Sequence, residues 1–216
     1  MAKLKKAIPP VGNVLQFKVT LNWVKPAVWR RIQVPDAYTF WDLHCAIQSA
    51  MGWWNCHLHA FTVSDNGSRN AQLVRIQMPS QEWGTEGDPD ESKELLARWL
   101  PGRVKQCVYT YDFGDTWDHV VLFEKTLPAE KGSSYPRCVA GKNAHPPEDC
   151  GGPGGYEGLL AVVNRPGDPR GKELREWLGL EKGERYDPKA FDVRDVVFGD
   201  PKKLLKEYLQ DQESQR

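Results

Sequence analysis

Histidine and cysteine side chains in two parts of the chain have spacings that suit a metal site. His57 and His59 are two residues apart in a run that predicts a strand, so both imidazoles are expected on one sheet face. A loop further along the chain contains Cys138, His145 and Cys150. Thiolates and imidazoles are preferred zinc ligands, and in combination they favour a closed, structural site. These five residues are therefore the candidate metal ligands, and zinc is the candidate cofactor.

The same residues also have an interpretation without a metal. Their spacing is not that of a Cys-x-x-Cys knuckle, and histidines that alternate along a strand often form hydrogen bonds within the fold. Buried free thiols behave as small apolar groups. The five cysteines are an odd number at irregular spacing, which favours reduced thiols or metal ligands over a disulfide framework. Both interpretations stay open at this point.

A second polar group lies on a predicted hairpin. The runs QCVYTYDF and TWDHVVLFEK flank a Gly-Asp pair that predicts a two-residue turn. That register sets Asp112 opposite Trp117 and Thr110 opposite His119, so that Asp112 and His119 share one face. A carboxylate and an imidazole side by side are candidates for acid and base catalysis. The turn requires such residue types anyway, so a structural role is favoured.

The elements that position these residues predict an α+β fold. Alternating polarity in VLQFKVTLNW and AVWRRIQV predicts a strand pair. Thr39 and Asp42 then open a helix as a variant capping box, and Gly52 ends it. Residues 57–63 and 71–78 predict two more strands. The result is a grasp-like strand-strand-helix-strand unit, extended by the antiparallel hairpin.

The rest of the chain predicts loops and helices. Residues 81–92 predict a mobile loop, and a short helix follows around residues 95–100. Residues 135–155 are rich in proline and glycine and predict a long irregular loop. Downstream helices, including those opened by Asp168 and Asp200, are expected on or beside the sheet. The predicted organisation is a flexible segment 1–13, one domain over 14–209 and a frayed tail 210–216.

Composition excludes several classes of protein. The chain has 216 residues, a mean hydropathy of -0.61 and no apolar run near the roughly 20 residues that a spanning helix needs. It begins without a secretory signal, so a cytoplasmic location without membrane association is expected. The 29 basic and 29 acidic residues balance, which disfavours a strongly basic nucleic-acid-binding protein. Most of the nine tryptophans, Trp23 and Trp177 among them, are expected to be core anchors.

Four ordered motifs carry a resemblance to a known family. They are PAVWRRIQVP, TFWDLHCAIQSAMGWWNCHLHAF, YTYDFGDTWDHVV and CVAGKNAHPPEDCGG, and WLGLEKGERYDPKAFDV follows them. The stretch from Val14 to Phe198 resembles the family named after open reading frame three of a root-inducing plasmid. That family is uncharacterised, and some relatives are labelled transposon resolvase passenger protein or are fused to DNA-binding repressor domains. His145 stands where the family often has cysteine, an exchange that a metal site tolerates.

Three functions are compatible with these observations. The preferred hypothesis is a non-enzymatic binding or adaptor domain, with or without structural zinc, that presents the PPEDCGG loop and the HLH strand to a protein partner. The second is a metal-dependent, hydrolase-like accessory enzyme that uses His57, His59, Asp112 and His119 around an ion that activates water. The third is a DNA-associated regulator, and only the resemblance to the fused relatives implies nucleic acid as a partner.

Overall fold

Seven strands form one antiparallel sheet in the computed structural model, which describes residues 12–65, 72–79 and 87–214. The strands are β1 (Asn13–Leu21), β2 (Trp29–Pro35), β3 (His59–Asp65), β4 (Gln72–Ile76), β5 (Gln106–Tyr111), β6 (Trp117–Pro128) and β7 (Arg137–Lys142). The helices are α1 (Phe40–Met51), α2 (Gly152–Val162), α3 (Pro169–Trp177) and α4 (Pro201–Ser214), with 3₁₀ turns at Leu96–Arg98 and Val193–Asp195. The predicted α+β class and the initial strand-strand-helix-strand order are confirmed.

The strand order is β4-β3-β5-β6-β1-β2-β7. The first strand of the chain therefore lies in the middle of the sheet, between β2 and the much later β6. The β5–β6 hairpin separates β3 from β1, so the hairpin is inserted into the predicted unit rather than added at its edge. Buried rows such as Phe61, Tyr109, His119 and Leu21 run across neighbouring strands on one face.

Helix α1 covers that buried face. Its N-terminus has the predicted capping box: the Thr39 backbone N–H donates to Asp42 Oδ2 (2.9 Å), and the Asp42 backbone N–H donates to Thr39 Oγ1 (3.3 Å). Gly52 ends the helix in the left-handed region, with φ of 92°. The opposite side of α1 packs Trp41 against α4. Helix α4 thus lies on α1 rather than on the sheet, and it continues to Ser214, past the predicted domain end at residue 209.

The register of the β5–β6 hairpin differs from the prediction by one residue. Tyr111 pairs with Trp117, and Tyr109 pairs with His119, so the loop runs from Asp112 to Thr116 instead of being a two-residue turn. The Asp112 side chain closes this wider loop, because its Oδ1 accepts a hydrogen bond from the Gly114 backbone N–H (2.9 Å). The prediction that Asp112 and His119 share one sheet face is therefore wrong.

Two other predicted segments also differ. Residues 135–155 are not an irregular loop, since β7 forms there as an edge strand on β2 and α2 begins at Gly152. An edge strand pairs on one side only, so proline and glycine around it are tolerated. The helix predicted around residues 95–100 is only a 3₁₀ turn. The segment 1–11, and residues 80–86 at the predicted mobile loop, lie outside the described residues.

Two adjacent arginines of β2 face opposite sides of the sheet. Arg30 is 2% exposed and donates hydrogen bonds to the backbone carbonyls of Trp29, Ala50 and Lys142 at 2.9 to 3.0 Å. Its guanidinium also lies 3.7 Å from the ring centre of Phe191. Arg31 faces outward and forms a two-pronged ion pair with Glu124, at 2.7 and 2.8 Å. The strand alternation predicts this difference in burial.

Candidate functional site

The segment between α1 and β3, residues 53–58, is held from two sides. The Asn55 backbone N–H donates to Gln48 Oε1 of α1 (3.0 Å). The Trp54 backbone N–H donates to Glu148 Oε1 (2.7 Å), and Trp53 Nε1 donates to the Pro146 carbonyl (3.1 Å). The helix and the loop that follows β7 thereby fix this connecting segment.

Five side chains with metal-ligating atoms converge on this segment. The ligand atoms of Cys56, His57 and Glu148 all lie within 4.8 Å of one another, and the same holds for His57, Asp112 and Asp149. His57 Nε2 is 3.0 Å from Asp149 Oδ1 and 3.8 Å from Asp112 Oδ2. We call these five residues the His57 cluster. They come from the connecting segment, the β5–β6 loop and the loop that precedes α2.

Left-handed backbone is concentrated around the cluster. Among the described residues, six that are not glycine have a positive φ. Three of them, Asn55 (56°), Asp112 (54°) and Asp149 (53°), belong to the cluster or precede it directly. Aspartate and asparagine tolerate this conformation better than most residues. It turns the loops so that their carboxylates point towards His57.

The His57 cluster contains three carboxyl groups and a thiol but no lysine or arginine. Glu148 is 6% exposed, and its burial raises the pKa of its carboxyl. Partial burial also raises the pKa of the Cys56 thiol, and the charges of Glu148 and Asp149 raise it further. His57 Nε2 and Glu148 Oε2 are buried atoms without a hydrogen-bond partner, since the contact to Asp149 does not have hydrogen-bond geometry. Each such atom is costly to bury.

A cleft of about 400 Å³ lies beside the cluster. It opens between the loop of residues 144–149 and the end of α3, and the Trp54 side chain forms part of its wall. The lining residues used below are Trp54, His145, Glu148, Asp149, Trp177 and Tyr186. We call this the tryptophan cleft, and it shares Glu148 and Asp149 with the His57 cluster.

A buried histidine cluster lies beneath the connecting segment. The rings of His44 and His59 are stacked, with centres 3.4 Å apart and planes 4° from parallel. His44 Nδ1 is 2.8 Å from Tyr109 Oη, and its Nε2 is 2.6 Å from Asn55 Oδ1. His59 Nε2 is 2.8 Å from Glu91 Oε1. Because Asn55 precedes Cys56, this cluster supports the segment from below.

The members of the buried histidine cluster are neutral near pH 7. Burial raises the pKa of Glu91 to about 8 and lowers the pKa of His59 to about 3. Burial also lowers the pKa of His44 well below its ordinary value. The contact between His59 and Glu91 has the distance of an ion pair, but with both groups uncharged it is a hydrogen bond between neutral partners.

Glu91 makes the stability of the fold depend on pH. Its pKa rises from 4.5 to about 8 on folding, so its contribution is full below pH 4.5 and is lost as the pH rises to 8. Burial has the opposite effect on His119, because it lowers the pKa of the imidazole to about 4. The stability that neutral His119 contributes is therefore lost as the pH falls from 6.5 towards 4. Between pH 6.5 and 8, the ionisation of Glu91 alone, at about 1.4 kcal/mol per pH unit, lowers the free energy of unfolding by about 2 kcal/mol. The buried histidines oppose this loss, because they stay neutral in the folded protein while the unfolded imidazoles still release protons.

Urea unfolding at pH 6.5 and 8.0 checks this expectation. Glu91→Gln keeps an uncharged hydrogen-bonding group beside His59 but lacks this titration, so its free energy of unfolding is expected to rise by about 2 kcal/mol relative to that of wild type across the same interval. Glu94→Gln is the matched control, because Glu94 lies in the same segment but is only half-buried. An equal change in wild type and Glu91→Gln would show that Glu91 does not titrate in this interval.

The candidate ligands expected from the sequence lie in separate places. His57 belongs to the His57 cluster, whereas His59 belongs to the buried histidine cluster. Cys138 lies in β7, where its Sγ donates to the Ala140 carbonyl (3.4 Å). His145 lines the tryptophan cleft, and Cys150 packs against the core. The metal-ligand groups found among the described residues contain only His57 of these five.

Two structural reasons explain this separation. Strand β3 begins at His59, so His57 lies before the strand and does not share a face with His59. Strand β7 is at one edge of the sheet, and β3 is next to the opposite edge, so Cys138 and His59 cannot hold the same ion. The part of the loop that does reach His57 is Glu148 and Asp149. Of the catalytic candidates, Asp112 adjoins His57, but His119 is buried and bonds to the Tyr109 carbonyl.

Several site residues were not expected as ligands. Cys56 stands directly before His57, and Glu148 and Asp149 stand within the PPED motif. These two motifs could have indicated the ligands, since they contain thiol, imidazole and carboxylate groups in segments that lie outside regular strands and helices. Glu91 gave no signal, because it lies in a polar stretch that predicts a loop yet is completely buried.

Comparison with known proteins places the chain in a family. A model of the plasmid pRiA4b ORF-3-like proteins matches residues 13–195. The chain belongs to that family. The boundaries agree with those expected from the ORF-3-like motifs. Among the described residues, no helix has both the length and the apolar character that crossing a membrane requires.

Two similar proteins extend the comparison. The uncharacterized protein y4hQ of Sinorhizobium fredii is 38% identical over 170 residues, which cover 78% of this chain and 82% of the relative. The crystal structure of a protein of unknown function, MM3350 from Methanosarcina mazei Go1, is similar with a TM-score of 0.77 and 38% identity. That match covers 87% of this chain and 99% of the other.

Proposed function

We propose that this protein is a binding domain organised by zinc. In this proposal, Cys56, His57 and Glu148 hold the ion, and the ion fixes the rim of the tryptophan cleft through which the domain recognises a protein partner. The donor set supports zinc, because thiolate, imidazole and carboxylate are its usual protein ligands. Donor atoms around one zinc lie about 3.3 to 3.8 Å apart, so atoms already within 4.8 Å need only small side-chain movements.

The observation that carries the proposal is the pair of buried, unpartnered atoms, His57 Nε2 and Glu148 Oε2. Both are lone-pair donors when the imidazole is in its suitable tautomer and the carboxyl is ionised. Buried polar atoms are normally satisfied by a hydrogen bond, an ordered water or an ion. A divalent cation between them and the Cys56 thiolate satisfies both atoms at once.

The charges around the cluster support the same conclusion. Partial burial, and then the nearby carboxylates, raise the pKa of the Cys56 thiol, so without a cation the thiol stays protonated and is a poor nucleophile. This disfavours a cysteine-based hydrolase. A bound cation reverses the effect, because it stabilises the thiolate and the Glu148 carboxylate together.

A metal-dependent hydrolase is the second candidate, and one observation favours it. Three protein ligands leave a fourth position of a tetrahedral ion free, and Cys56, one of the three, is exposed to solvent. A water in the fourth position would be activated by the ion. Of the residues expected for this function, His57 and Asp112 adjoin the ion position, while His59 and His119 lie in the buried interior. The DNA-associated function stays a prediction from the resemblance alone.

Zinc content of protein purified without a metal-affinity tag tests the proposal. We expect one zinc per chain, and His57→Ala and Cys56→Ser are expected to weaken zinc binding at least about 100-fold, because each removes a direct ligand. Competition with a chromogenic chelator measures the affinity. Wild-type protein that neither contains zinc nor takes it up would refute the proposal.

The matched control is the double variant Cys138→Ser, Cys150→Ser. It removes two thiols that lie outside the His57 cluster, so its zinc affinity is expected to equal that of wild type. Loss of zinc in this variant instead would support the ligand set expected from the sequence. Hydrolysis of a chromogenic ester by the zinc-loaded protein, absent in His57→Ala, would favour the enzyme over the binding domain.

A further inference from the structure

The tryptophan cleft has the composition of a site for an organic cation. Trp54 is 77% exposed and Trp177 is 51% exposed, although tryptophan side chains are usually well covered. The expectation that Trp177 is a core anchor is therefore wrong. Exposed tryptophans on the walls of one cavity are typical of a binding surface, since they provide a large contact area with little loss of side-chain entropy on binding.

The charge of the lining selects the sign of the ligand. Glu148 and Asp149 are acidic, and none of the described residues that line the cleft is a lysine or an arginine. His145 does not offset them, because burial lowers the pKa of its imidazole and keeps it neutral. With a zinc ion compensating the Cys56 thiolate and Glu148, Asp149 still faces the cleft with a side chain that is 65% exposed. The cleft therefore attracts a cation in either case.

The walls select the shape of that cation. Planar aromatic side chains attract a cation through their negatively charged faces, and a guanidinium also stacks on them. A carboxylate at the rim accepts two parallel hydrogen bonds from a guanidinium, which an ammonium group does not provide. The volume of about 400 Å³ is near the lower end of the range for ligand pockets, about 300–1,000 Å³, and suits a single side chain.

We propose that the tryptophan cleft binds the arginine side chain of a basic segment in a protein partner, with Trp54 and Trp177 against the guanidinium and Asp149 as its carboxylate partner. This inference rests on the proposed function, because it names the ligand of the same recognition surface. Tyr186 also lines the cleft. Its hydroxyl donates a hydrogen bond to the His145 carbonyl (3.3 Å), so this part of the lining is formed before a ligand arrives.

Titration of the full-length protein with short peptides tests the proposal. The probe is an acetylated and amidated glycine peptide with one central arginine, compared with the same peptide containing lysine or citrulline. Tryptophan indole N–H resonances report the site. We expect the Trp54 and Trp177 resonances to shift with the arginine peptide and the affinity for lysine to be several-fold lower. Citrulline, which has the shape of arginine without its charge, is expected to cause no shift.

Variants of the lining provide the controls. Trp177→Ala and Asp149→Asn are each expected to weaken arginine binding about 10-fold, because one removes a stacking contact and the other a charge-assisted pair. Trp23→Ala removes a tryptophan that is 80% exposed but lies outside the cleft, and it is expected to bind as wild type does. Equal binding of arginine and citrulline, or wild-type affinity in both lining variants, would overturn the proposal.

The test separates this inference from the zinc proposal. Arginine binding that persists in His57→Ala, which removes a zinc ligand outside the lining, would support the cleft without the ion. If the protein binds zinc but neither tryptophan resonance responds to any peptide, the zinc proposal stands and the arginine proposal is overturned.

Discussion

Replacing Arg30 with alanine is expected to destabilise the fold by about 3–4 kcal/mol. The side chain donates three hydrogen bonds to backbone carbonyls, and hydrogen bonds from a charged donor are worth roughly 1.5–3 kcal/mol each. One acceptor, Ala50, lies in the last turn of α1, where carbonyls lack helical partners and a cation is favourable. Against this, the variant no longer buries a charge, and burial lowers the pKa of Arg30 to about 10.

Arg31→Ala is the matched control for this prediction. It removes a neighbouring arginine from the opposite sheet face, where the ion pair with Glu124 is partly exposed and contributes about 1 kcal/mol or less. Urea unfolding at pH 6.5 gives both free energies of unfolding. Similar losses in the two variants would mean that the buried hydrogen bonds of Arg30 add nothing specific.

Gly155→Ala is expected to cost about 3 kcal/mol or more through a backbone collision. A Cβ at Gly155 would lie 1.9 Å from the Cys150 carbonyl oxygen, and backbone cannot move aside as a flexible side chain can. The first turn of α2 would have to shift away from residues 148–151. Since Glu148 and Asp149 belong to that loop, zinc affinity is expected to fall together with stability.

Gly158→Ala on the same helix is the opposite case. Nothing lies within 4 Å of a Cβ there, the position is exposed, and alanine is favoured over glycine in a helix by about 1 kcal/mol. Thermal unfolding should therefore show a raised midpoint for Gly158→Ala and a lowered one for Gly155→Ala. A lowered midpoint in both variants would indicate that α2 requires glycine for another reason.

Features encoded by neighbouring residues could be predicted from the sequence. The capping box of α1 depends on Thr39 and Asp42 only, and strand alternation predicts that at most one of Arg30 and Arg31 is buried, although it does not say which. The β5–β6 loop is harder, because a two-residue Gly-Asp turn and a longer loop closed by Asp112 are compatible with the same letters. Two hydrogen bonds, from the Gly114 and Asp115 backbone N–H groups to Asp112 Oδ1, favour the second.

The candidate site depends on strand order, and this explains what sequence patterns missed. Cys56 and His57, Asp112, and Glu148 and Asp149 come from three distant segments. They meet because β5 pairs with β3, which places the end of β5 beside the connecting segment, as the bond from the Asp112 N–H to the Leu58 carbonyl (2.9 Å) shows. Local patterns specify strands, but they do not specify which strands are neighbours.

The central position of β1 has a consequence for how the chain folds. In the finished sheet Asn13 pairs with Pro128 and Leu21 with His119. During synthesis, β1, β2 and α1 leave the ribosome long before β6, so one edge of β1 has no native neighbour until Pro128 emerges. Pairing between such distant residues is slow, typically on the millisecond to second scale for sheet-rich domains. We therefore expect the joining of β1 to β6 to limit the folding rate, and the open edge of β1 to be the part of the nascent chain most prone to aggregation.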